Sequence, residues 1–139
     1  MLLRLIGFAS LGLLLTACAT TEKNMTTSAD LIDKQWRLIS VDEQAVARVT
    51  GKFPQLAFDS TLKATGVAGC NNFFGQTQWQ EGQLRINNMG MTMMMCQAPL
   101  DAIELDVAAT LSDWSSVTIT QDTLTLTGSE HTLVYELIK

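Results

Sequence analysis

Residues 116–138 read SVTITQDTLTLTGSEHTLVYELI, and their rhythm sets the fold class. Val117 and Ile119 alternate with threonines, and Leu124 and Leu126 do the same after Gln121-Asp122. A third apolar run, HTLVYELI, follows Gly128-Ser129-Glu130. A period of two with threonine on the outer face is the mark of antiparallel sheet that is buried on one side and wet on the other. Turn residues between the runs make a meander of three strands.

The same pattern extends upstream. WRLISV places Trp36 and Leu38 on one face, although Ile39 and Val41 leave the other face apolar too. QLAFD alternates through Leu56 and Phe58, and KATGVAG is small and interrupted by glycine, which suits a bent strand. QTQWQ and QLRIN flank Glu81-Gly82, a tight hairpin turn. One segment breaks the rhythm. Leu100, Ile103, Val107, Leu111 and Trp114 fall three and four apart, on one stripe of a helix. Pro99 suits its first position, and Asp101 and Glu104 sit where the helix dipole favours negative charge. The expectation is an α+β domain: a small, partly open, antiparallel β-barrel-like sheet of about eight strands with one helix packed across it.

The amino terminus has a different character. MLLRLIGFASLGLLLTAC carries Arg4, then an apolar run from Leu5 to Leu15, then Leu15-Thr16-Ala17-Cys18. That run is too short to span a bilayer as a helix and reads as an export signal. Its end resembles the lipobox of bacterial lipoproteins, in which cleavage precedes an acylated cysteine. The expected division is a signal peptide at 1–17, lipidated Cys18 and a polar tether over 18–30, and a folded domain at 31–139. Three acyl chains on Cys18 exceed what stable anchoring requires. An ordinary secretory signal that happens to end near a cysteine is the alternative. With Ala19 and Thr20 rather than Asp after the cysteine, the sorting rule for such lipoproteins points to the outer membrane, facing the periplasm.

Composition narrows the function. The 139 residues carry a formal charge of −5 and one histidine. Loss of the leader with Arg4 makes the domain more acidic, and no basic cluster offers a surface for nucleic acid. A single His131 excludes a His-based triad or a multi-histidine metal site. Ser115, Ser116 and Ser129 stand in no nucleophile motif, and the glycines of GVAGCNNFFG lead to no phosphate-binding lysine. This inventory points away from catalysis and implies no cofactor. With Cys18 acylated, Cys70 and Cys96 remain as an even pair in an oxidising compartment. A bridge between them would add about 3–4 kcal/mol on the chain-entropy view; two buried free thiols are the alternative.

NMGMTMMMCQ, residues 88–97, holds five of the seven methionines. Three readings compete: filler for irregular core gaps, a soft surface for peptide or lipid, and a Cu(I) site using Met91, Met93 and Met95. Core filling is the expectation, with a periplasmic Cu(I) buffer as the alternative function.

Three stretches carry a resemblance: GVAGCNNFFGQTQW at 66–79, MGMTMMMCQAP at 89–99 leading to a helix with Glu104, and DTLTLTG with LVYEL near the end. Together with Trp36 they resemble the META/HslJ family of bacterial lipoproteins and heat-shock-associated proteins. The matching motif positions are Trp36, Gly69, Cys70, Asn71, Met91, Thr92, Met94, Cys96 and Glu104. The resemblance implies a partly open barrel and an envelope protein linked to heat stress and, in some relatives, to novobiocin tolerance. It supplies no reaction. The function expected is therefore an outer-membrane-anchored, monomeric binding or assembly module whose partner is an envelope protein or a lipid.

Overall fold

The computed structural model describes residues 25–139. The expected signal peptide at 1–17, the expected lipidation at Cys18 and most of the expected tether lie outside the described residues. Residues 28–30, read as the end of the tether, form a turn of 3-10 helix in which the Thr27 amide donates to Asp30 Oδ2 at 2.8 Å. Leu31 behind it is fully buried.

Nine strands follow: β1 (Lys34–Val41), β2 (Gln44–Ala45), β3 (Gln55–Phe58), β4 (Lys63–Val67), β5 (Asn72–Gln80), β6 (Gln83–Met91), β7 (Ser115–Thr120), β8 (Thr123–Thr127) and β9 (Thr132–Leu137). One helix, α1 (Leu100–Ser112), joins β6 to β7. Each strand pairs antiparallel with its neighbour, and β9 returns to pair with β1, so eight strands close a ring. The two-residue β2 extends the edge of β1 beyond β3. Closure removes the exposed edges that an open sheet would present. The seam between β6 and β7 is short, with only Gln83–Ser116 and Leu84–Ser115 paired. Beside this short seam α1 packs against β6.

Two irregularities set which residues face inward. Between Leu38 and Ser40 the register with β9 shifts, so Val41 joins Trp36 and Leu38 in the core and Ile39 turns partly outward. This bulge resolves the doubly apolar WRLISV stretch. Between β5 and β6 the register shifts again, with Asn88 on β6 at a φ of 48°. Leu84 and Ile86 face in before the shift, and Met89 and Met91 pack against the core after it. Phe73 is buried while Phe74 is exposed, its ring lying over Gly90, which has no side chain to obstruct it. The helix buries Val107 and Leu111 and half-buries Leu100 and Ile103, as the stripe predicts. It ends at Ser112, so half-buried Trp114 lies beyond it, with Arg85 stacked 4.8 Å from its ring.

Candidate functional site

The corner between β4 and β5 is built around a carboxylate from the helix. The amides of Gly69, Cys70 and Asn71 all point at Glu104 Oε2, at 3.3, 3.0 and 2.8 Å. Asn71 Nδ2 donates to Oε1 at 2.7 Å. Three successive backbone N–H groups make a concavity that suits an anion, and here the protein supplies the anion itself. A side chain at position 69 would overlap the Leu100 carbonyl oxygen and approach Glu104 Cβ to 2.8 Å, so only glycine lets α1 come this close. Burial pushes the Glu104 carboxyl up, but the donors from Asn71, Cys70 and Gly69 outweigh it and hold the group below the ordinary glutamate value.

Asn71 links this corner to the methionine run. It is 1 % exposed, and its side-chain amide pairs with Met94 as a neighbouring strand would. Oδ1 accepts the Met94 amide at 2.6 Å, and Nδ2 donates to the Met94 carbonyl at 2.8 Å. Thr92 Oγ1 donates to Asn71 Oδ1 at 2.8 Å and accepts the Asn72 amide at 3.0 Å. A disulfide between Cys70 and Cys96, with Cα atoms 5.7 Å apart, closes the far side. The backbone from Thr92 to Cys96 is therefore held at Thr92, Met94 and Cys96.

The side chains on that backbone point outward. Met93 is 92 % exposed, Met94 55 % and Met95 98 %. This corrects the expectation that the run fills the core: Met89 and Met91 pack against it, and the three that follow β6 do not. Three consecutive residues outside a strand have no alternation to turn any of them inward. The trio considered for Cu(I) is thereby divided, with Met91 against the core and Met93 and Met95 in solvent. Ligand atoms of Cys70, Cys96 and Glu104 do lie within 4.8 Å of one another. Sulfurs joined to each other offer no thiolate, however, and both Glu104 oxygens already accept hydrogen bonds. Cys96 Sγ, 3.3 Å from Glu104 Oε2, has no proton to donate.

Other positions singled out in the sequence are structural. Trp36 is fully buried, with Nε1 lacking a hydrogen-bond partner among the described residues. His131 bridges three elements. Its Nδ1 lies 2.7 Å from Asp42 Oδ2 in the β1–β2 turn, and its Nε2 lies 3.4 Å from Asp106 Oδ1 on α1.

The comparisons with known proteins agree with this architecture. Over 135 residues the chain is 28% identical to heat shock protein HslJ of Escherichia coli (strain K12), covering 96% of this chain and 95% of HslJ. A solved NMR structure of a protein 28% identical in sequence superposes with a TM-score of 0.72, covering 81% of this chain and 95% of that one. A second NMR structure, of a protein from Burkholderia xenovorans, is 23% identical with a TM-score of 0.63 over 80% of this chain and 86% of that one, and shares the fold. The META domain model matches residues 29–138, the whole barrel with its helix, and the chain therefore belongs to the META domain family.

Proposed function

We propose that this META-domain chain is an envelope lipoprotein, anchored through Cys18 to the outer membrane and facing the periplasm. In this reading it acts in heat stress by binding an envelope protein or lipid and performs no catalysis. The observation that carries it is the Met93–Met95 knuckle, three exposed thioethers on a backbone fixed by Asn71 and the disulfide. Methionine is unbranched and polarizable, so such a surface adapts to differently shaped apolar partners. Fixing the backbone beforehand lowers the ordering cost of binding.

The position of the knuckle supports the reading. Met25 lies beside Trp79 and Glu81, at the turn end of the β5–β6 hairpin. The knuckle follows the other end of β6, which runs from Gln83 to Met91, roughly 27 Å along the strand. A tether entering at Met25 thus leaves the knuckle on the far end of the barrel. The Glu104 carboxylate, satisfied on both oxygens and held ionised, is a poor proton carrier, in keeping with a binding role.

The test is complementation of a strain lacking the protein under heat stress. Cys18→Ala and the triple variant M93K/M94K/M95K should each fold and each fail to restore growth. Because the three side chains are exposed, the lysines should change stability by less than about 0.5 kcal/mol. Full rescue by Cys18→Ala would remove the anchor from the mechanism, and full rescue by the lysine variant would remove the knuckle.

A further inference from the structure

We propose that the Met93–Met95 knuckle is a modification site, oxidised to methionine sulfoxide by hydroperoxides without loss of the fold. Two observations converge on it. Cys70 and Cys96 are already joined, so no free thiol remains among the described residues to react first. The readily oxidised sulfur left in contact with water is that of the exposed methionines, three of them adjacent at 92 %, 55 % and 98 % exposure and the fourth, Met25, at 81 %. Met89 and Met91, a few residues upstream, pack against the core and serve as internal controls.

The chemistry is a two-electron oxygen transfer. The thioether sulfur attacks the distal hydroperoxide oxygen, an S–O bond forms and the O–O bond breaks. Sulfur gives up two electrons, and the departing alkoxide or hydroxide takes the hydroperoxide proton to leave as alcohol or water. The product replaces a flexible apolar side chain with a polar one. In a core that change disrupts packing. Here the backbone is held through Met94 N–H and C=O, Thr92 and the disulfide, none of which involves a methionine sulfur. Each sulfoxide oxygen meets water. Up to three oxygen atoms can therefore be added while the corner keeps every bond. The consequence for function, which rests on the docking role proposed above, is that oxidation withdraws the apolar surface and reduction by a methionine sulfoxide reductase restores it.

The experiment is graded hydrogen peroxide treatment of the full chain in detergent. Oxygen uptake is located by peptide mass spectrometry, and folding is followed by near-UV circular dichroism. Met93 and Met95 should react at least about tenfold faster than Met89 and Met91, with near-UV signal unchanged at full knuckle oxidation. The volume-conserving variant M93L/M94L/M95L should keep the same spectrum and lose the rapid uptake at these positions. Oxidation of Met89 or Met91 at the rate of Met93, or loss of the near-UV signal as the knuckle oxidises, would overturn the proposal. The heat-stress result for the lysine variant is independent of both readouts, so failure of the docking role is distinguishable from failure of the oxidation site.

Discussion

Replacing Glu104 by alanine would take one acceptor from four donors at once: the amides of Gly69, Cys70 and Asn71, and Asn71 Nδ2. A hydrogen bond to a charged group contributes about 1.5–3 kcal/mol, and a buried donor left without a partner costs about 1–3 kcal/mol. Glu104 is half-buried, so water can reach part of the vacated space and the donor terms will not add in full. A loss of about 3–5 kcal/mol is expected, large beside a total stability of about 5–15 kcal/mol. Glu104→Gln keeps one oxygen acceptor but turns an NH2 toward a donor, and should lose about 2 kcal/mol. The assay is urea unfolding of the oxidised chain, with the midpoint falling and the slope unchanged. The pH dependence gives a second reading. The folded pKa of Glu104 lies below its ordinary value of 4.5, so its contribution is complete above that value and is lost as pH falls through the folded pKa. Stability of Glu104→Gln should therefore fall less steeply below pH 4.5 than that of the parent. A Glu104→Ala variant within about 1 kcal/mol of the parent would refute the view that this carboxylate organises the corner.

Three further outcomes are expected. The double variant C70S/C96S, which opens a link across a sequence separation of 26, should lose about 3.5 kcal/mol in urea unfolding, and free-thiol titration of the denatured parent should find neither Cys70 nor Cys96. His131 has its pKa raised, first by the hydrogen bond that its Nδ1–H donates to Asp42 and then by the charge of Asp106, with burial opposing. Its contribution is complete below the unfolded value of 6.5 and is lost as pH rises through the folded one. His131→Gln should flatten the thermal-stability profile above pH 6.5, and an unchanged profile would show the Asp42–His131–Asp106 bridge to be inert.

Much of the barrel is written in local order. Threonine alternating with Val117, Ile119, Leu124 and Leu126 specifies strands and their inward face, because a pleated strand turns successive side chains to opposite sides. The stripe from Leu100 to Leu111 specifies the helix by the same reasoning at a different period. Cys70 and Cys96 were recognisable as a pair from their count, while the geometry of their bridge was not. Bulges are where local order stops being enough. Nothing in the identity of Ile39 or Asn88 announces a register shift, which arises from two strands competing to match their apolar faces. Those shifts decide that Val41, Met89 and Met91 join the core.

The site follows the same division. Gly69, Asn71 and Glu104 were visible as motif positions, but Glu104 only with a dipole role, since a contact between residues more than 30 positions apart leaves no periodic trace. Only the packing of α1 against β6 brings the carboxylate to the corner amides. The methionine run shows the difference most plainly. Hydrophobicity alone reads it as core, whereas Asn71 supplies the strand-like partner that holds Met94 in place and leaves Met93 and Met95 in water. Residue order was thus enough for the elements and their faces, each depending on neighbours a few positions away. The exposure of the knuckle depended on hydrogen bonds across the far end of the β5–β6 hairpin, between Asn71 and Met94, which are 23 positions apart.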